Sequence, residues 1–193
     1  MIATATIATA TITTATIATA TIFGMTIPTY TLMHVLVSLI GIVSGFVVMY
    51  GLLSGKRLDR WTALFLTSTV ATSVTGFGFP FTHLSPAHKV GIVSLAVLTI
   101  AIVARHAYHL EGGWRRTYVV CAAMALYLNV FVLVVQSFEK APALRALAPT
   151  QKEPPFLVTQ LVILALFIVL TIVAAKRFTS QPTGAARPVS RAA

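Results

Sequence analysis

Residues 117–156 read TYVVCAAMALYLNVFVLVVQSFEKAPALRALAPTQKEPPF. The stretch begins as an apolar run long enough to cross a bilayer and leaves the hydrocarbon at Gln136–Phe138. It then passes through a proline-rich loop and re-enters at Phe156. Asn129 and Gln136 stand seven residues apart inside the run, which puts them on one face of a helix. An amide at membrane depth is costly unless something hydrogen-bonds it, so that face is predicted to look into a helix bundle.

The rest of the composition agrees. The chain is 57% hydrophobic and 9% charged, against about 25% charged in soluble domains, which excludes a water-soluble globule. The formal charge of +10 invites a nucleic-acid partner. The basic residues, however, fall between apolar runs and form no patch on a folded domain, so nucleic acid is excluded. The single cysteine, Cys121, lies within an apolar run and reads as a small packing residue.

Five spans are expected, at 32–53, 61–80, 87–108, 117–138 and 156–176, each near the ~20 residues that cross ~30 Å of hydrocarbon. The fold class is therefore all-α, an integral membrane helix bundle. Residues 1–24 precede it and hold four copies of an IATAT-like pentapeptide. A five-residue period matches neither a helix face nor strand alternation. A poorly ordered extension is preferred there, and a sixth span stays open; Met25 is an alternative start. Residues 25–178 form the transmembrane domain. Residues 179–193, rich in Pro, Ser, Ala and Arg, read as a disordered basic tail available to anionic lipid.

Loop charge sets the orientation. Of the 14 Lys and Arg residues, ten fall in 54–60, 105–116 and the C-terminal segment, and four on the other side. The positive-inside rule then predicts an outside N-terminus and a cytoplasmic C-terminus in a bacterial inner membrane.

Individual spans add detail. His34, Ser38, Gly41 and Gly45 share a face of the first, and the Gly-x-x-x-Gly step reads as tight helix packing. The second carries seven Ser or Thr residues from Thr62 to Thr75, whose hydroxyls can bond their own helix carbonyls, and it breaks at Gly76, Gly78 and Pro80. Ser85 and Pro86 read as the N-cap and first residue of the third. Gln160 is the polar residue near the start of the fifth.

On the predicted outer side, His34, His83 and His88 lie near Asn129, Gln136 and Gln160, with Glu139, Gln151 and Glu153 in the loop. Imidazoles suit haem iron and transition metals. His34 and His88 are the candidate cofactor ligands, as the axial pair of a b-type haem, and His83 is a candidate metal ligand. Asn129, Gln136 and Gln160 are the candidate pocket lining. The competing reading is interfacial histidines bonded to headgroups, backbone or water. His106 and His109 lie beside Arg105 and Arg115, which opposes cation binding. The loop segment Ala143–Ala148 is read as a short interfacial helix capping the bundle mouth. No nucleotide-binding glycine loop, nucleophile elbow or paired catalytic carboxylate occurs, so nothing argues for an enzyme.

The strings TGFGFPF (75–81), ALYLNVFVLVVQSFEKAPAL (125–144) and APTQKEPPF (148–156) resemble an uncharacterised family of small bacterial inner-membrane proteins. The resemblance covers residues 30–178 and implies bacterial origin and membrane placement, with no activity attached. The leading expectation is a redox-associated, haem- or metal-binding bundle with an outward-facing polar site. The alternatives are a small-solute transport or ligand-binding bundle and a non-catalytic membrane subunit. The lipid bilayer is the expected partner; a membrane-protein partner or a second copy of the chain stays open.

Overall fold

The computed structural model describes residues 21–22, 24–79 and 86–179. Most of the pentapeptide repeat, His83, Ser85 and the tail beyond Thr179 lie outside the described residues, and with them the questions of a sixth span and a capped third helix. A two-residue antiparallel ribbon, β1 (Thr21–Ile22) and β2 (Met25–Thr26), precedes six helices. These are α1 (Ile27–Leu53), α2 (Asp59–Gly76), α3 (Pro86–His106), α4 (Trp114–Lys140), α5 (Pro142–Leu147) and α6 (Pro154–Thr179). Helices are what apolar runs of this length can form, because hydrocarbon leaves every backbone N–H and C=O to be satisfied within its own segment.

The helix limits follow local signals. Thr26 caps α1 by accepting from the Thr29 amide, with Pro28 in the first turn. Gly55, at φ +67°, turns the chain after α1. Pro86 opens α3, and α2 stops at the Gly76–Gly78 break, both as the residue types predict. Gly112, at φ +49°, sits in the α3–α4 turn, where Trp114 stacks on Tyr108 at 3.8 Å.

The all-helical reading holds, with one correction. Among the described residues four helices are long and apolar enough to cross a membrane: α1, α3, α4 and α6. The count is four, not five. The expected second span does form a helix, α2, but it is only 18 residues long, and its seven hydroxyl-bearing side chains remove it from the apolar class. Several of those hydroxyls turn back onto their own helix, Thr67 to the Ala63 carbonyl, Ser68 to Leu64 and Thr75 to Ala71. Four apolar helices mark the chain as a membrane-embedded protein.

The packing order explains how α2 is accommodated. Helices α1, α2, α3 and α4 pack in sequence, α4 closes back on α1, and α6 lies against both α1 and α4. Helices α1 and α3 therefore occupy opposite corners of a four-helix ring. Phe65, Leu98, Tyr118, Val119, Ala125 and Leu126 are fully buried at its centre. The Gly41–Gly45 face is used inside the chain. A Cβ on Gly45 would stand 2.5 Å from Leu126 Cδ1 and 2.9 Å from Phe65 Cε2, so only glycine lets α1 approach α2 and α4 there.

Candidate functional site

Several polar residues of the bundle interior bond one another across helices. Asn129 on α4 donates from Nδ2 to Thr69 Oγ1 on α2 at 3.2 Å. Gly41 on α1 borders this pair; a Cβ there would lie 3.2 Å from Thr69 Oγ1 and 3.5 Å from Asn129 Nδ2. The α4 face read from the sequence as looking into a bundle thus meets α2. One helical turn further on, Ser73 donates to Ser94 of α3 at 3.0 Å, the link that holds α2 to its other neighbour. Gln136, seven residues beyond Asn129, is half-buried and makes no hydrogen bond among the described residues.

The two histidine candidates lie at the same end of the bundle, around the C-terminus of α2, but on opposite corners of the ring. His34 of α1 shares a 2.9 Å hydrogen bond between Nδ1 and Thr75 Oγ1, and its ring meets Phe79 edge-on at 5.2 Å. Tyr30, one turn earlier, donates to the Thr75 carbonyl at 2.7 Å and meets the same Phe79 ring. His88 of α3 is buried, with its ring 5.6 Å from Phe77. Each imidazole thus rests on a different aromatic ring of the segment that follows α2. Among the described residues no three of His, Cys, Asp or Glu come together as a metal-binding group; His83 lies outside them.

Gln160 takes a different face of α4. It is buried on α6 and donates from Nε2 to the Phe131 carbonyl at 3.3 Å, while its Oε1 accepts no hydrogen bond among the described residues. Gln151 does the same one turn along, donating to the Val135 carbonyl at 3.2 Å. Asn129 and Gln160 therefore bracket α4 from two sides and do not share one pocket.

Above Gln160 the chain builds an open concavity. Phe138, Ala148 and Phe156 form a small separate core with Val134, Val135 and Leu144, and the Phe138 and Phe156 rings meet edge-to-face at 5.4 Å. This cluster clamps α5 across the ends of α4 and α6, close to the capping segment expected from the proline spacing. The following turn is fixed by Glu153. Its Oε1 accepts from the Thr150 amide and hydroxyl at 3.1 and 2.9 Å, and its Oε2 accepts from the Lys152 amide. Desolvation raises the Glu153 pKa, but hydrogen bonds from its own backbone, from Thr150 and from Lys152 outweigh it and hold the carboxyl below the usual carboxylate range. Gln151, at φ +58°, completes the turn in the left-handed region.

Between the end of α4, the end of α5 and this turn lies an open cavity of about 620 Å³, lined by Phe138, Glu139, Lys140, Arg145, Pro149, Thr150 and Gln151. Glu139, Lys140 and Arg145 make no hydrogen bond or ion pair through their side chains among the described residues. Sequence reasoning placed Glu139 and Gln151 near the bundle mouth. It passed over Lys140, Arg145 and Thr150, because only the fold of the turn shows that they converge.

At the opposite end four arginines are committed. Arg105 pairs with Asp59 and lies 5.7 Å over the Tyr118 ring. Arg57 donates to the His109 carbonyl, Arg177 to Leu53 and Arg115 to Leu110, each at 3.3 Å. No family profile, curated protein or solved structure matches the chain.

Proposed function

We propose that this chain is a multi-pass bacterial inner-membrane protein that binds a small polar ligand at the outward-facing end of its bundle. The observation that carries this reading is the cavity at the α4–α5–α6 mouth. Its volume of about 620 Å³ falls within the ~300–1,000 Å³ usual for small-molecule sites. Its charged side chains are not consumed by the fold. The orientation is supported by the basic residues that cluster at the Arg105 end, which the positive-inside rule assigns to the cytoplasm. Bacterial origin is supported by the sequence resemblance over residues 30–178. A transport path gains less support, since Asn129 and several of the α2 hydroxyls are spent on partners within the bundle.

The test uses a single thiol. In a Cys121→Ala background, Pro149→Cys places a reporter on the cavity wall. A membrane-impermeant maleimide added to intact spheroplasts is expected to label it, and a concentrated small-molecule extract of the periplasm to slow that labelling. Labelling only after permeabilisation would overturn the orientation, and labelling indifferent to the extract would sink ligand binding.

One observation favours the redox-associated reading as the alternative: His34 and His88 lie at the same end of the bundle, both around the C-terminus of α2. Haem b or a transition metal held by them would give an oxidised-minus-reduced visible band or stoichiometric metal, lost in His34→Ala and His88→Ala. Colourless, metal-free protein after cofactor-replete expression would remove that alternative.

A further inference from the structure

The charge pattern of the mouth cavity says more than that a ligand fits. Lys140 ends α4 and Arg145 lies in the last turn of α5, so the bend at Ala141–Pro142 brings two cations to one cavity. Glu139 is the single acid on the lining. Lysine and arginine side chains left without an ion pair, on a wall whose other polar members are a hydroxyl and an amide, form an environment that concentrates anions. Arginine adds a planar donor fork that matches a two-oxygen acceptor, a carboxylate or phosphate edge. The buried Phe138 also lines the cavity, and apolar surface beside the charges strengthens charge–charge attraction there.

Resting on the ligand-binding reading above, we propose that the cavity takes a singly charged oxyanion between Lys140 and Arg145. Glu139 sets the charge limit. The three ionised groups sum to one positive charge, so a monoanion neutralises the site, whereas a second negative charge would face the Glu139 carboxylate. Two sources offer that chemistry at a membrane mouth: a soluble monocarboxylate, and the phosphodiester of a lipid headgroup. The rigid turn favours binding of either, because Glu153 and Gln151 have already fixed the wall and little ordering remains to be done on association.

The experiment follows labelling of Pro149→Cys in the full chain with Cys121→Ala, purified in maltoside micelles that contain no phosphate. Acetate and dimethyl phosphate are the monoanion probes, tetramethylammonium and glycerol the controls. The two anions are expected to slow labelling and the controls to leave it unchanged. Lys140→Gln and Arg145→Gln, both exposed positions, should each raise the protecting concentration by about tenfold, the weight of one charge-assisted hydrogen bond. Glu139→Gln should let inorganic phosphate at pH 8 protect as well as dimethyl phosphate does. Protection by glycerol or tetramethylammonium but by neither anion would overturn the oxyanion while leaving ligand binding in place. Protection by no probe would overturn both. A second arm identifies the source: in phosphatidylglycerol nanodiscs, labelling that is slow without any probe and restored by Arg145→Gln assigns the lipid headgroup. Labelling as fast as in micelles, still slowed by acetate, assigns a soluble anion.

Discussion

At one end of the bundle Arg105 pairs with Asp59, and Arg57, Arg115 and Arg177 each reach a backbone carbonyl near the end of α3 or α1. At the other end Glu139, Lys140 and Arg145 surround a cavity with no such bonds. The difference teaches what charge is for at each end. Helices α1 and α3 finish at the arginine end, and a helix leaves its last four carbonyls without an internal partner. Arg177 satisfies one such acceptor, the Leu53 carbonyl that ends α1, and favours the negative pole of that helix's dipole, while Arg57 and Arg115 fasten the α3–α4 turn at His109 and Leu110. Their positions are structural. Lys140 is also at a helix C-terminus, the last residue of α4, yet its ammonium makes no bond among the described residues.

The comparison can be broken or sharpened by substitution, read as unfolding in micelles. The middle of the bundle, on which both ends depend, sets the largest expected effect. Gly45→Val drives side-chain atoms into Leu126 and Phe65, and a loss of about 1–3 kcal/mol or more is expected from overpacking. An undiminished midpoint would mean that α1 does not approach α2 and α4 so closely. Arg105→Ala removes an exposed ion pair and a cation–π contact together, and should cost about 1–2 kcal/mol; a neutral result would show that the arginine end is not fastened by it. Asn129→Leu, which deletes the bond to Thr69, should cost about 0.6 kcal/mol and at most about 1.7.

The two smallest effects lie at the cavity. Glu153 has its carboxyl pKa depressed in the folded chain, so its stabilisation is present above the unfolded carboxylate range and fades as pH falls through the folded value. The protection factors of the Thr150 and Lys152 amides should therefore fall on acidification, and Glu153→Gln should abolish that pH dependence. A turn equally protected across the range would contradict the bonding described. Arg145→Gln should change stability by no more than about 0.5 kcal/mol while weakening anion protection, which separates a binding role from a structural one.

Much of the fold was legible because the bilayer enforces it. The apolar run at 117–138 had to be a helix, Pro86 had to start one, and Gly76 to Pro80 had to end one, since the backbone rules act locally. The correction at α2 has a physical origin too. Length and apolarity are separate requirements, and a helix lined with Thr and Ser can pack beside α1 without meeting the second. The candidate site was less legible. Periodicity put Asn129 and Gln136 on one face, but nothing local says that Asn129 meets Thr69 and that Gln136 makes no bond. Likewise His34 and His88 were matched by depth, whereas the ring order that puts them at opposite corners depends on α4 closing against α1. The convergence of Lys140 with Arg145 required the clamp of Phe138 on Phe156, a contact between residues that no spacing rule connects.

The hydroxyl-rich character of α2 bears on how the protein is made. A helix that hydrocarbon accepts reluctantly enters best as the second half of a hairpin, carried by the strongly apolar α1 that precedes it. Its Thr69 then waits for Asn129, which lies 60 residues later in the chain, an interval of about 3–12 s at ~5–20 residues per second of synthesis. During that interval α2 is held first by α1, through Gly41, Gly45 and the His34–Thr75 bond, and then also by α3 through Ser73–Ser94. The glycine step thus serves assembly in time as well as packing in space, keeping a reluctant helix in place until its permanent neighbour arrives.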